Sequence, residues 1–226
     1  MRAVIFSAGE WPGVAPLNKK QPAPLLHLVD RPFLQHVVEY CVSQGVRRFD
    51  FVLSHLPEKI EHFLGDGRRW GCQFTYHLAR DPERPYRLLL SMNWDGTAGP
   101  VLLGHGDRLP QFSLAAAKDA AVPSALFCCQ VAEEGKSSPN LDWTGWALLT
   151  PEQIGRLPRD ADEAAVKAHL LELLPIELRR VETLPPLGCR SFNELLHSHE
   201  VVLCDLFDGL LLGGKDVEPG VWLSRN

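Results

Sequence analysis

An alternation of short apolar strands and helices in the first 78 residues constrains the fold more than any other sequence feature. The segment RAVIF is apolar and ends before Gly9, and apolar residues alternate in RRFDFVLSH and CQFTYHL. Between these segments lie stretches with helical spacing of apolar residues, over 31–44 and 57–64. A strand–helix–strand–helix–strand order predicts a largely parallel sheet, because each helix carries the chain back to the end where the next strand begins.

The rest of the chain extends this α/β pattern. We predict sheet strands near 2–7, 48–54, 72–78, 100–105, 124–131 and 143–149. A further short strand is predicted in RRVETLP and a short helix in PYRLLLSMNW. The segment DADEAAVKAHLLELL predicts a helix capped by Asp160 or Asp162.

Composition excludes several classes of partner. With 226 residues, 45% of them hydrophobic, the chain suits one α/β domain with a sizeable core. The net charge of −5 and the lack of a Lys/Arg-rich run argue against nucleic acid. No stretch reaches 18 apolar residues, so neither a membrane span nor a membrane partner is predicted. Six cysteines without a CxxC pair indicate reduced, buried thiols and a cytoplasmic protein.

The glycine turn after the first strand carries a specific resemblance. The opening lies without a gap on the pattern A-A-G-x-G-T-R-L-x-P-L-T-x-x-x-P-K-P-L-L, and FLGDGRRWGCQFTYHL is similar to G-D-G-x-x-x-G-x-x-I-x-Y. On these residues the chain resembles the sugar-1-phosphate nucleotidyltransferases, specifically over 1–78 and more loosely to about residue 150. The positions that match the opening are Ala8, Gly9, Pro16, Leu17, Pro22, Pro24, Leu25 and Leu26.

This resemblance implies both a fold and a chemistry. The implied fold is a Rossmann-like αβα sandwich with a nucleotide at the carboxyl ends of the strands, which agrees with the strand order above. The implied reaction is attack by a sugar-1-phosphate on the α-phosphorus of a nucleoside triphosphate, with release of pyrophosphate. The implied cofactor is Mg²⁺, and the implied ligands are a nucleotide and a sugar phosphate.

Four departures fall on the phosphate-binding loop. Trp11 replaces the second glycine of the family pattern, and Pro12 replaces the threonine and has no N–H to donate. Gly13 stands at the family's catalytic arginine, and Ala23 stands at the lysine of P-K-P. Both cations that face the phosphates are therefore missing.

Two neighbouring lysines offer an alternative. Lys19 and Lys20 lie in the same loop at positions that the family leaves variable. A displaced lysine can act as a point charge on a phosphate, so these residues are the candidate catalytic cations, and the other reading is two solvated loop lysines.

Of the two metal-binding aspartates that the resemblance implies, one is present in the sequence. VLLGHGD supplies Gly106-Asp107 at a strand end, where the family has its magnesium aspartate, and a carboxylate there suits a hard cation. LGCRSFNELL stands in place of the family's W-x-D-I-G-T-P and lacks the second aspartate. Asp205 and Asp208 follow it and are alternatives that the spacing does not favour.

Substrate contacts are assigned by the same resemblance. Ala8 and Gly9 belong to the loop, and Arg84 falls where the family's nucleotide- or sugar-contacting loop is expected. The GTAG sequence at 96–99 is interpreted as a coincidental turn. If the helix predicted before it is an insertion, GTAG is instead the nucleotide- or sugar-contacting loop. Thr144 and Gly145 match the family's N-T-G sugar strand, in which Trp143 replaces the asparagine.

The chain is divided into a nucleotidyltransferase-like domain over 1–200 and a tail over 201–226. The tail VEPGVWLSRN resembles the first coil of the left-handed β-helix of many family members, so the chain is either a fragment or ends in one rudimentary coil.

Two functions follow. The first is a weak or non-catalytic, regulatory or binding member, which forms a homo-oligomer or pairs with a catalytic paralogue, as inactive members of the family do. The second is an active nucleotidyltransferase that uses Lys19 and Lys20. A metal-dependent glycosyltransferase would need D-x-D after a strand, and the single match, DAD at 160–162, begins a helix.

Overall fold

Seven strands form a central sheet in the order β10-β8-β9-β6-β1-β4-β5 in a computed structural model of the chain. The structure describes residues 1–94, 99–114, 124–131, 140–159, 162–174, 176–204, 215–218 and 221–223. The strands are β1 (Arg2–Ser7), β2 (His27–Leu28), β3 (Arg31–Pro32), β4 (Arg48–Leu53), β5 (Gln73–Leu78), β6 (Val101–His105), β7 (Arg108–Leu109), β8 (Ala125–Val131), β9 (Asn140–Leu149), β10 (Arg179–Glu182), β11 (Leu187–Gly188), β12 (Lys215–Glu218) and β13 (Val221–Leu223).

Five α-helices and five short 3-10 helices connect the strands. The α-helices are α1 (Phe33–Ser43), α2 (Pro57–Leu64), α3 (Pro151–Gly155), α4 (Glu163–Glu172) and α5 (Phe192–Leu203). The 3-10 helices span Pro12–Val14, Leu17–Lys19, Ala23–Leu25, Arg68–Trp70 and Pro85–Ser91. These counts refer to the described ranges.

The sheet is mostly parallel, as predicted. β1 pairs in parallel with both β4 and β6, β4 pairs in parallel with β5, and β8 pairs in parallel with β10. β9 is antiparallel to its neighbours β6 and β8. The carboxyl ends of β1, β4, β5 and β6 therefore meet at one edge of the sheet, where ligands bind in folds of this class.

Both faces of the sheet are covered. All six residues of β1 are buried, and alternate positions enter two different apolar clusters. Ile5 packs in the cluster that contains α1, whereas Phe6 packs in the cluster that contains Tyr86 and Trp143. A strand buried on both faces reads as a continuous apolar run, which is why RAVIF shows no alternation.

The observed elements refine the sequence predictions at several points. β9 begins at Asn140, three residues early, and its pairing with β8 shifts register near Gly145, whose φ is +88°. The predicted helix in PYRLLLSMNW is a 3-10 helix, and α1 begins at Phe33 because Pro32 is extended and caps it. Asp162 caps α4, accepting a hydrogen bond from the backbone N of Ala165 at 2.8 Å.

A buried ion pair fixes the opposite, amino end of the central strands. Arg2 donates from Nε and Nη2 to the two carboxylate oxygens of Asp50, at 2.7 and 3.0 Å. His77 Nε2 lies 2.9 Å from Oδ1 of the same carboxylate. Burial alone would raise the pKa of Asp50, but the bonds from His77 and Arg2 hold that pKa below its usual value. This carboxylate is therefore ionised and paired across β1, β4 and β5.

The predicted domain boundary at residue 200 falls inside α5, which runs to Leu203. In the tail, β12 and β13 form an antiparallel pair. The division into two domains and the β-helix start stay predictions. No helix among the described residues is long and apolar enough to cross a membrane.

Candidate functional site

A cleft of about 850 Å³ opens at the carboxyl ends of β1, β4, β5 and β6. Its floor is formed by the residues that follow β1, and its walls come from the segments after β5 and β6 and from the start of α4. Its charged lining residues are Glu10, Arg80, Glu83, Arg84, Asp107, Asp162, Glu163 and Arg190.

The indole of Trp11 covers the glycine turn. A Cβ atom on Gly9 would lie only 2.4 Å from Cζ2 of Trp11, so the ring rests on the bare glycine backbone. The side chain of the buried Asn18 donates to the carbonyl of Trp11 at 2.7 Å, and His55 Nε2 lies 2.9 Å from the Asn18 carbonyl. The loop is therefore tied down with its tryptophan over the backbone of Gly9.

Gly13 and Ala23 both lie against the segment that leads into α5. A Cβ atom on Gly13 would meet the backbone oxygen of Arg190 at 2.7 Å. Ala23 is buried, and its carbonyl accepts from Sγ of Cys189 at 3.5 Å. A larger side chain at position 13 would have to displace this segment, because backbone atoms cannot turn aside as a side chain can.

Arg190, from that segment, places its guanidinium inside the cleft. Its Nε donates to Oδ2 of Asp107 at 2.6 Å, and its Nη2 lies 3.4 Å from Oδ1. Its Nη1 lies 3.3 Å from Oε2 of Glu163. Its Cζ lies 4.0 Å from the centroid of the Trp11 ring, a cation–π contact. The guanidinium is thus held between an indole face and two carboxylates.

The charges in this cluster cancel. Glu163, in the first turn of α4, also accepts a hydrogen bond at Oε1 from Nη2 of Arg108. Burial alone would lower the pKa of Arg190, but Asp107 and Glu163 raise it above its usual range. Two arginines therefore face two carboxylates, and Asp107 is buried with only 3% of its surface exposed. The inner cleft offers little uncompensated positive charge to a ligand.

A neutral histidine and a tyrosine continue the network. Nδ1 of His105 accepts from Nη2 of Arg190 at 3.3 Å, and its Nε2 lies 2.7 Å from the hydroxyl of Tyr86. Burial, together with the charges of Arg108 and Arg190, lowers the pKa of His105 well below its usual value. Burial, with Glu163 next, raises the pKa of Tyr86 well above its own. Both groups are therefore uncharged near neutral pH.

The structure brings together half of the site residues predicted from the sequence. Ala8, Gly9, Arg84 and Asp107 line the cleft, and Arg84 is exposed at its rim. Asp107 follows the end of β6 on the same edge as Gly9, as expected.

The other four predicted residues lie outside the described lining of this cleft. Lys19 and Lys20 are exposed, and the Lys20 carbonyl accepts from Nζ of Lys59. Thr144 is buried and donates to the carbonyl of Phe127 at 2.8 Å. A Cβ atom on Gly145 would meet Nη1 of Arg108 at 2.4 Å, so this glycine makes room for the arginine that binds Glu163.

Arg190, Glu163, His105 and Tyr86 were not among the site residues predicted from the sequence. One signal could have found Arg190: the segment LGCRSFNELL, at the place where the resemblance implies a metal carboxylate, carries an arginine. Glu163 is one residue past the helix cap Asp162 and lies in the first turn of α4, and the cap prediction gave it no place at the sheet edge.

The residues at Asp107 do not fit a magnesium ion in this arrangement. Both carboxylate oxygens contact the Arg190 guanidinium. Within the described ranges, no group of three or more His, Cys, Asp and Glu residues could hold a metal ion. Asp205, Asp208 and residues 96–98 of the GTAG segment lie outside the described residues.

The first half of the chain matches a known family. A family model described as nucleotidyl transferase covers residues 2–110. The UTP–glucose-1-phosphate uridylyltransferase of Synechocystis sp. is 32% identical over 76 residues, which are 34% of this chain and 20% of that protein. The mannose-1-phosphate guanylyltransferase catalytic subunit beta of Danio rerio is 29% identical over 104 residues, 46% of this chain and 26% of that protein. The matches thus span about a fifth to a quarter of these relatives.

The fold extends beyond the sequence match. The crystal structure of HddC from Yersinia pseudotuberculosis complexed with GMP-PN superposes with a TM-score of 0.67 and 15% identity. The superposition covers 89% of this chain and 99% of HddC. The second half of the chain therefore keeps the Rossmann-like fold of nucleotide-diphospho-sugar transferases, although the sequence likeness has faded.

Proposed function

Residues 2–110 make this chain a member of the nucleotidyl transferase family, and from that premise we propose that it is a weak or non-catalytic, regulatory or binding member. Its cleft takes a ligand of the nucleotide-sugar class, a nucleotide or a sugar phosphate. The observation that carries the proposal is the position of Arg190 inside the cleft, held between the ring of Trp11 and the carboxylate of Asp107.

The loop favours loss of the transfer reaction. Trp11 covers Gly9, and Pro12 has no N–H to offer a phosphate oxygen. Loss of one transition-state arginine in a phosphoryl-transfer enzyme costs on the order of 10³–10⁵ in rate. Against a usual turnover of about 10 per second, one such loss leaves less than about one event per minute.

The electrostatics of the cleft favour a ligand of low charge. Arg190 is already neutralised by Asp107 and Glu163. The remaining lining arginines, Arg80 and Arg84, are exposed at the rim. A triphosphate held here would keep much of its charge unpaired in a partly dry cleft, which is costly. The same arrangement gives no support to the Mg²⁺ that the family resemblance implies.

The alternative is an active nucleotidyltransferase that uses Lys19 and Lys20. Its support is limited to their position in the loop, since neither lysine is among the described lining residues. A rescue by these lysines would require the loop to rearrange when the substrate binds.

Partners and compartment follow the same reasoning. A member without its own turnover acts through a second chain, so we propose a homo-oligomer or a pairing with a catalytic paralogue. The name of the Danio rerio relative, a catalytic subunit, is consistent with such a division of labour. All six cysteines are free thiols, and we propose a reducing compartment, the cytoplasm.

Pyrophosphate release tests the proposal. The assay uses Mg²⁺ and a panel of nucleoside triphosphates and sugar-1-phosphates, with the Synechocystis relative as positive control. We expect wild type near background and a Lys19→Ala/Lys20→Ala variant unchanged from it. Robust wild-type turnover would overturn the proposal, and its loss in the double-alanine variant would establish the alternative.

A further inference from the structure

A cation is already present at Asp107, and it belongs to the chain itself. We propose that the Arg190 guanidinium takes the place of a divalent metal ion at Asp107, so that the cleft receives its ligand without a bound metal. This inference rests on the proposed function, because it concerns the same cleft and the charge that its ligand meets.

The geometry makes the guanidinium and a metal ion mutually exclusive. Arg190 contacts Oδ2 and Oδ1 of Asp107 at 2.6 and 3.4 Å and Oε2 of Glu163 at 3.3 Å. The two carboxylates therefore converge on one group. A hard cation would need these same oxygens as ligands, since Mg²⁺ and Mn²⁺ prefer carboxylate oxygen. Either cation excludes the other from this point.

Arg190 is held in place by more than its charge. Its guanidinium stacks on Trp11 with Cζ 4.0 Å from the ring centroid, and its Nη2 donates to His105. Its backbone oxygen packs where a Cβ of Gly13 would lie. A metal ion entering the cleft would have to break the stack and the ion pairs together.

The exchange of a divalent ion for a guanidinium also explains the sequence departures as a set. The bare Gly13 makes room for the segment that carries Arg190, and Trp11 supplies the face on which the guanidinium rests. The departures in the loop that holds Trp11 and Gly13 and those in the segment that holds Arg190 therefore belong to one structural rearrangement. Independent departures from the family sequence pattern, on unrelated elements, would not be expected to contact one another.

Direct titration with Mn²⁺, followed by electron paramagnetic resonance in the absence of any other ligand, tests the inference. The proteins are wild type, Asp107→Asn, Arg190→Ala and the Arg190→Ala/Asp107→Asn double variant. Arg156→Ala is the control, because it removes the same charge from an exposed ion pair with Glu177 outside the cleft.

We expect wild type and Asp107→Asn to bind Mn²⁺ equally weakly. Arg190→Ala should bind at least tenfold more tightly than wild type, and the double variant should lose this gain. Arg156→Ala should match wild type. Wild-type binding that disappears in Asp107→Asn would overturn the inference, and so would a folded Arg190→Ala variant that gains no affinity.

A second measurement covers the case in which Arg190→Ala does not fold. The thermal midpoint of wild type should be the same in EDTA and in Mn²⁺, whereas a midpoint that rises with Mn²⁺ in wild type but not in Asp107→Asn would overturn the inference. These outcomes are independent of pyrophosphate release, so failure of the proposed function and failure of this inference are distinguishable.

Discussion

Replacing Arg190 by methionine should destabilise the protein strongly through the charge that it leaves behind. Methionine keeps much of the apolar contact with Trp11, whereas the Asp107 carboxylate, 3% exposed, loses its main partner. Breaking a buried ion pair by removing one member costs about 3–5 kcal/mol. Since domains are stable by about 5–15 kcal/mol, this single change should remove a large share of the total.

A double-mutant cycle separates the charge from the packing. Asp107→Asn should cost about 1.5–3 kcal/mol, the usual range for a hydrogen bond to a charged group, because Arg190 keeps Glu163. The Arg190→Met/Asp107→Asn double variant no longer buries an unpaired charge at 107. The free energy of unfolding lost in the double variant should therefore be smaller than the sum of the two single losses by at least about 1 kcal/mol.

Urea unfolding at pH 7.5, followed by fluorescence and circular dichroism, measures all four corners of the cycle. Arg84→Met is the control, because it removes an exposed arginine from the same cleft and should change the free energy of unfolding by less than about 0.5 kcal/mol. If Arg190→Met costs less than about 1 kcal/mol, or if the single losses add within about 0.5 kcal/mol, Arg190 and Asp107 do not form the buried pair described above.

Three further changes test other parts of the structure, each by urea unfolding. Asp50→Asn should cost about 3–5 kcal/mol because it breaks a buried ion pair, whereas Glu182→Gln, in an exposed pair, should cost less than about 1 kcal/mol; equal losses would contradict this. Buried, neutral His105 stabilises the fold above its unfolded pKa of about 6.5, and this stability is lost as the pH falls below that value, by up to about 1.4 kcal/mol per pH unit. His105→Gln should flatten the decline between pH 7 and 5, and an unchanged slope would refute the assignment. Gly13→Ala should cost about 1–3 kcal/mol because its Cβ meets a backbone oxygen at 2.7 Å, whereas Gly155→Ala, with open space at Cβ, should be neutral or slightly stabilising; the reverse order would exclude the packing at residue 13.

Much of the fold follows from local sequence pattern. Buried parallel strands need continuous apolar runs and the crossover helices need apolar residues at helical spacing, so β1, β4, β5 and the helices between them were predictable. The early start of β9 at Asn140 was not predictable, because Asn140 and Asp142 are polar and follow a sequence without apolar alternation. The 3-10 geometry of Pro85–Ser91 was also not predictable, because its apolar spacing suits either kind of helix.

The site was only partly predictable, for a different reason. Motif positions placed Gly9 and Asp107 at one sheet edge, since both follow strands of the same sheet. The contact of Arg190 with Trp11 joins residues 179 positions apart, and no local pattern specifies it. The sequence shows which residues stand in the loop, whereas only the packing of the segment before α5 shows that Arg190 lies against Trp11.

Calorimetric titration of wild-type protein with nucleoside triphosphates, with and without Mg²⁺, tests the central claim most directly. A cleft filled by Trp11 and an internally neutralised Arg190 should bind each triphosphate with Kd weaker than about 1 mM, the upper end of the usual KM range. Adding Mg²⁺ should leave that affinity unchanged. Micromolar binding of any triphosphate that appears only when Mg²⁺ is present would contradict the account.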